Sequence, residues 1–486
     1  MKLDFALYGP DAATLGTGYT SNIANVYPTA VGYSPVKAQS AYSAALASAC
    51  RGFISVQTSD GSTRVFAATA TKLYLLASDL TWTDVSLGAG TYNGPGADEN
   101  WSFAVFDGYL YATNVNDALQ RYNIDGGGAF AAVAGSPPQA RYVSVVESYL
   151  VLANLTSDQG AIAWCDTGDA TNWSTGNADE QSFPDGGPVM GVLGAAKRVV
   201  QKTTERMMIH QPGSAFVFYF EKVANARGTI APQSIIEVGD SYAYLAEDGF
   251  YFDGQPIGKE RVDVAFLAEA NNSRLFSVMG GFDPVRRIFR WAYHTDDGVP
   301  FDKQLVFSPT AAQGGKWAPI DDDTTYIGNA GTPGITLEGL EALYPDLDVD
   351  VPYSLDSRVW QGGRPTFAVF GTDHKLSFYE GTTLEATMET AEGALAEGRE
   401  ALLLGTYPLI DGDTGAAATA RVGTRGRLAG TVSYSSYASL QTSGRVPARD
   451  KGKYVRVGVK IPAAATWTHA RGVEIVPEDV KRLGRR

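Results

Sequence analysis

A strand–turn–strand unit recurs along most of this chain, and it limits the choice of fold more than any other feature. The plainest copy is Trp101-Ser102-Phe103-Ala104-Val105-Phe106, the turn Asp107-Gly108, then Tyr109-Leu110-Tyr111-Ala112. Residues 64–68 with 72–76 form an earlier copy. Residues 142–146, the turn Glu147-Ser148 and residues 149–152 form a later one, and further copies start near Met190, Ile235, Val278 and Phe367. Consecutive anchors lie roughly 37 to 50 residues apart, the spacing of a four-stranded propeller blade. Third and fourth strands follow some copies, as at 119–124 and 161–165, and a Trp often closes the unit, at Trp82, Trp173 and Trp317. Such a Trp is placed to pack between neighbouring units. One four-stranded sheet cannot bury both faces, but sheets stacked around an axis bury them against each other. The expected fold is all-β, a β-propeller of six to eight blades with a smaller C-terminal β domain. Separate β-sandwiches also accommodate short strands and turns but explain the even spacing less well.

Composition agrees. With 486 residues, 44% of them hydrophobic, the chain can bury a large core, and its 54 Gly, 25 Tyr and 21 Phe suit many short strands joined by tight turns. Two stretches depart from the pattern. Within 332–362, Thr336 is placed to cap a short helix over 337–343. Residues 382–404 are rich in Ala and Glu and read as helix by propensity, interrupted by Gly393 and Gly398. From 405 short strands return, and Tyr454-Val455-Arg456-Val457-Gly458-Val459-Lys460 alternates as a half-buried strand does. The expected division is therefore a propeller body over 1–404, including a helical insertion near 332–362, and a basic β domain over 405–486.

The net charge of −14 is unevenly spread. Residues 421–486 hold 14 Lys and Arg against 4 Asp and Glu, and the rest of the chain 25 against 49. The acidic body argues against wrapping nucleic acid. The basic end fits an acidic partner surface or a phosphate backbone, although a solvated basic face that helps acidic copies assemble is the plainer reading. Arg445, Arg449, Lys451, Lys453 and Arg456 are the candidate interface residues.

Chemistry is harder to find. Cys50 and Cys165 read as buried, reduced thiols. The N-terminus lacks the apolar core of a secretory signal, and no run approaches 18 apolar residues, so a protein made and kept soluble in the cytoplasm is expected, with no membrane segment. His210, His294, His374 and His469 are scattered and there is no C-x-x-C pair. Phosphate-binding and nucleophile-elbow motifs are missing. Asp346, Asp348 and Asp350 share the spacing of a calcium loop, but position six is Val351 and position twelve carries no Glu. These, and Asp321-Asp322-Asp323, read as solvated turn residues. No catalytic, cofactor-binding or metal-binding residue is expected, and the chain does not read as an enzyme.

Several segments, in order, resemble a known family. They are Asn25-Val26-Tyr27-Pro28-Thr29, Gly135-Ser136-Pro137-Pro138-Gln139-Ala140-Arg141-Tyr142 and Pro184-Asp185-Gly186-Gly187-Pro188-Val189. Ala226-Arg227-Gly228, Glu247-Asp248-Gly249-Phe250-Tyr251-Phe252-Asp253-Gly254, Asp283-Pro284-Val285-Arg286-Arg287 and Trp467-Thr468-His469-Ala470-Arg471-Gly472-Val473 follow. Together they resemble the tail nozzle, or packaged-DNA stabilisation, proteins of short-tailed bacteriophages. The resemblance implies a structural subunit of the virion tail, synthesised in the bacterial host cytoplasm and forming a ring, usually of six copies. Such a ring continues the channel from portal and adaptor proteins, retains packaged DNA without sequence-specific binding, and anchors a needle, fibres or spikes. An acidic or mixed channel wall would let DNA slide rather than stick. The resemblance transfers no catalytic residue, and it favours strands closing the last blade over a helix at 382–404. Two other functions fit a propeller: a carbohydrate- or receptor-binding module, and a glycan hydrolase with acids gathered at the axis.

Overall fold

Two of the blade hairpins turn on residues that tolerate a left-handed backbone. Asp107 and Gly108 have φ of +47° and +72°, and Asp253 and Gly254 +47° and +73°. Two consecutive positive φ values give the turn whose twist matches that of the paired strands. The computed structural model describes all residues except 13–17, 215, 224–226, 299, 312–313, 345, 347–350, 397–398, 413–417 and 483–486. Among the described residues, antiparallel hairpins build seven four-stranded sheets. Their innermost strands are Gly52–Gln57, Ser102–Phe106, Ala140–Val146, Val189–Leu193, Ile236–Val238, Met279–Asp283 and Tyr326–Ala330, which define blades one to seven. The chain is a seven-bladed β-propeller.

The core is divided among the blade junctions. Phe66 and Leu73 meet Leu110 and Tyr122 between blades one and two, and Tyr111 meets Val143 and Leu150 between two and three. Val151 and Trp164 pack on Val199 and Phe218 between three and four, and Val200 on Tyr242 and Tyr244 between four and five. Phe250 meets Trp291 and Trp317 between five and six, and Met279 meets Ile327 and Phe367 between six and seven. Phe53 and Val65 close the ring on Phe370 and Phe378. Trp82 and Trp317 stand on outermost strands and reach across to the next blade, Trp82 to within 6.0 Å of the Phe370 ring.

Two details of the repeat differ from the sequence reading. The anchors at 64 and 367 fall on second strands, Thr63–Ala68 and Thr366–Phe370, because the true first strands lie one hairpin earlier. The last blade is closed by Ser40–Ala45, not by residues 382–404, with Ser377 opposite Ala41. A strand from near the start of the chain thus completes a sheet built near its end. Within the insertion, Thr336 accepts a hydrogen bond from the Gly339 N–H and caps the helix Leu337–Leu343. Leu340, Val359 and Trp360 of this insertion add to the core between blades seven and one.

Residues 382–404 do form strands, but these belong to a second unit. Ala386–Glu389 and Gly393–Ala394 pair with Tyr454–Ile461, and Ala401–Asp411 pairs with Val446–Gly452 and His469–Glu474. Lys2–Asp4 also pairs with His469–Glu474, and Val26–Pro28 joins through Tyr33–Pro35. The division expected at 404/405 is thus replaced by a unit of two sheets made from both ends of the chain, about 1–36 and 383–482. The reason is edge pairing: the C-terminal strands present open edges that the N-terminal strands cover.

This terminal unit sits on blade six. Ile288, Val306, Ala318 and Ile320 share its core with Val26, Val457 and Trp467. Arg290, fully buried, pins the joint. Its guanidinium lies 4.9, 4.2 and 4.5 Å from the Tyr27, Phe367 and Tyr379 rings, and it donates to Gln304 Oε1 (3.2 Å) and to the Tyr27 hydroxyl. Asp283 Oδ2 stands 4.0 Å away.

A second buried charge has a consequence that can be measured. Asp263 is 6% exposed, enclosed by Gly249 and Gly258. Burial, opposed by the Phe250 N–H and reinforced by Asp11 and Asp248, pushes its carboxyl up to about 7. The folded state therefore favours the neutral acid, while the unfolded chain ionises near 4. Stability from this site is full below about pH 4 and is lost as pH rises through about 7. Asp263→Asn should flatten that decline, so that the melting temperature gained by the variant is larger at pH 8 than at pH 5. Parallel melting curves for the two proteins across that range would contradict the assignment.

Candidate functional site at one end of the propeller axis

The innermost strands all begin on one face of the ring, and the residues just ahead of them converge there. Arg51 precedes blade one, Asp98, Glu99 and Asn100 blade two, Gln233 blade five, Ser277 blade six and Thr325 blade seven. Blades two and five are on opposite sides of a seven-membered ring. Asn100 Nδ2 nevertheless donates to Gln233 Oε1 at 2.5 Å, so the axis is bridged at this end. The turn Asn272–Ser277, inserted between blades five and six, packs against Pro232–Ser234 beside the bridge. Its Arg274 pairs with Asp98 (3.3 Å) and donates to the Gly298 carbonyl, and its Phe276 faces Arg141 and Tyr142.

Two spaces adjoin the bridge. A chamber of about 50 Å³ is lined by Arg51, Asp98, Asn100, Gln233, Arg274 and His294 among others. A wider pocket of about 510 Å³ is floored by Tyr142, Met190, Leu275 and Phe276, with Arg141, Asn154 and Lys202 on its walls. Arg141 is fixed by Glu99 and by Asn154 Oδ1, the latter at 3.1 Å. An apolar floor with a few fixed polar groups is the usual makeup of a small-molecule pocket. The innermost strands are poor in acids, carrying only Glu237 and Asp283, and Asp283 is fully buried.

The five basic residues nominated from sequence do not form one surface. Arg456 is 5% exposed and points inward, 3.8 Å from Glu389 and 3.5 Å from Glu392. Arg445 is tied to Asp479 (2.7 Å) and to the Leu404 carbonyl (2.6 Å). Lys451 pairs with Glu400 at 2.7 Å, and Lys453 lies over the Tyr454 ring. Arg449, exposed on Val446–Gly452, faces outward. The basic surplus of residues 421–486 is largely answered by acids at 385–400. Counted over 1–36 and 383–486, Lys and Arg number 16 against 13 Asp and Glu. The remaining propeller, with 23 against 40, keeps the acidic excess.

The other candidates disperse. Asp321–Asp323 lie on the strand Lys316–Thr324, not in a turn, and Asp322 accepts from Tyr379 OH (2.6 Å) and Gln39 Nε2 (2.8 Å). Burial raises its pKa. Asp348 and Asp350 lie outside the described residues. Burial pushes the Cys50 thiol up to about 12 and that of Cys165 to about 11. Among the described residues no three His, Cys, Asp or Glu side chains gather as a metal site.

No protein-family model matches the sequence, and no curated protein does. Among solved structures, the chain is similar to the extracellular domain of a B. thetaiotaomicron protein described as a one-component system, with TM-score 0.40 and 11% identity. That match covers 76% of this chain and 43% of the other, so this chain spans less than half of its length. The β-propeller domain of Myceliophteria thermophila Cps50 (Swd1) gives TM-score 0.37 and 8% identity, covering 66% of this chain and 94% of that one. The computationally designed Ika8 protein gives 0.32 and 10%, covering 70% and 99%.

Proposed function

We propose that this protein is a structural subunit of a short-tailed bacteriophage tail, a nozzle protein that works as a ring. What supports the reading is where the segments that prompted the resemblance lie. Several of them sit at joints of the framework. Asn25 accepts from the Asp321 N–H and Tyr27 stacks under Arg286 (4.4 Å), so Asn25–Thr29 and Asp283–Arg287 together lock the terminal unit to blade six. In the segment Trp467–Val473, Ala470 pairs with Tyr33 and Trp467 is buried. Asp185 pairs with Arg206 and Lys222 along blade four. Gly228 has φ +72°, and a Cβ there would lie 2.2 Å from the Gln201 carbonyl oxygen. Segments that build joints fit a scaffold whose rigidity is its task.

In such a ring the DNA would run between copies, past the acidic outer surfaces of the propellers, because the axis of each propeller is bridged by Asn100 and Gln233. Acidic walls repel DNA and keep it mobile. Negative-stain electron microscopy of the purified chain tests the reading. Six-fold rings with an open centre are expected, and a monomer at every concentration and salt condition would overturn it. The pocket floored by Tyr142 and Phe276 favours a second reading, a carbohydrate- or receptor-binding propeller.

A further inference from the structure

Arg51 is a cation with no bonded counterpart among the described residues. Its half-buried guanidinium lines the axial chamber and makes no hydrogen bond or ion pair with any described residue. Burial pushes its pKa down from the ordinary value, Asp98 acts against this, and Arg274 adds to the fall. Asp98 is the single carboxylate lining the chamber among the described residues, and it is bonded to Arg274. His294 contributes no positive charge near neutral pH. Burial and Arg274 hold its imidazole below the usual range, and its Nδ1 bonds to the Pro300 carbonyl at 2.8 Å. The chamber thus holds two guanidinium groups and one carboxylate.

The neutral groups are donors too. Gln233 accepts from Asn100 through Oε1, which leaves its Nε2 without an acceptor among the described residues. A volume of about 50 Å³ has room for several waters or for one small oxyanion. A half-buried guanidinium with no bonded partner is partly desolvated, and an anion accepting a two-pronged guanidinium bond would complete its contacts. We propose that the axial chamber is a binding site for a small oxyanion, a carboxylate or phosphate group, gripped by Arg51 with Gln233 and Arg274 beside it.

Calorimetric titration of the full chain with inorganic phosphate, and separately with malonate, tests this at an ionic strength held constant with NaCl. At least one anion should bind one to one, with Kd at or below about 1 mM. Arg51→Met should weaken it by about tenfold or more, while Arg449→Met, far from the chamber, should not. In chloride Arg51→Met should melt no lower than the parent, because it deletes an unpaired charge. Binding of phosphate alone identifies a phosphate group as the source, and binding of malonate alone a carboxylate. Two results overturn the site: neither anion binding or raising the parent's melting temperature at about 20 mM, or Arg51→Met binding as tightly as the parent.

Discussion

A chain that begins at residue 46 should give no cooperative thermal transition by circular dichroism and should elute as aggregate on size exclusion. The deletion removes Ser40–Ala45, and with it the outermost strand of blade seven, leaving Lys375–Phe378 as an open edge. It removes Lys2–Asp4, Val26–Pro28 and Tyr33–Pro35 from the terminal unit as well. Phe5, Ile23, Val26, Tyr27, Tyr33, Val36 and Tyr42 leave the two cores they help to fill. At about 1.5–3 kcal/mol for each large buried side chain, the loss exceeds about 10 kcal/mol, against a total stability of about 5–15 kcal/mol for a folded domain. Arg290, without Tyr27, would be left with a face of its guanidinium uncovered inside the protein. A sharp melt within a few degrees of the intact chain would contradict the strand pairing.

The second large effect concerns Arg456. Glu389 is fully buried and accepts from Thr20 Oγ1 (2.5 Å), Asn22 Nδ2 (3.0 Å) and Tyr434 OH (2.6 Å). Arg456 lies between Glu389 and Glu392, and Arg425 pairs with Glu392 from the other side. Two carboxylates and two guanidinium groups thus balance out of contact with water. Removing one partner of a buried pair costs about 3–5 kcal/mol, because the other charge stays behind. Arg456→Met should lower the urea-unfolding free energy by that amount, and adding Glu392→Gln should recover part of it. Arg449→Met should leave the midpoint where it was. If Arg456→Met unfolds like the parent and instead impairs only assembly, then Arg456 faces a partner, not the interior.

These two results mark what a sequence reader can and cannot see. The propeller was legible because each blade repeats a local pattern: an apolar strand, a turn such as Asp107-Gly108, and a second strand. Five of the seven anchors fall on innermost strands. The Thr336 cap was legible for the same reason, since a cap is made within three residues. Closure was not legible. Ser40–Ala45 carries no mark that its partner lies more than 300 residues away. The basic end misled because a window of 421–486 separates Arg456 and Lys451 from Glu389, Glu392 and Glu400, their partners in space. The axial residues formed no motif, being spread over the chain, yet a signal existed. Arg51, Asn100, Gln233 and Thr325 each stand one to three residues ahead of an innermost strand. Aligning the anchors and reading the column before them would have gathered them.

The joining of both ends of the chain also has a consequence in time. Residues 2–4 and 26–45 are made first, but their partners are made late, at 375–378 for blade seven and at 469–474 for the terminal unit. Pairings so distant in sequence are slow to form, and until synthesis is nearly over Lys2–Asp4 has no strand to pair with. A chain cut short by a few dozen residues would close blade seven but keep unpaired edges in the terminal unit. Such a chain remains a substrate for proteases and chaperones, so only a finished copy becomes resistant. The fold thereby inspects its own synthesis, and a ring assembled from such subunits would be drawn from complete molecules.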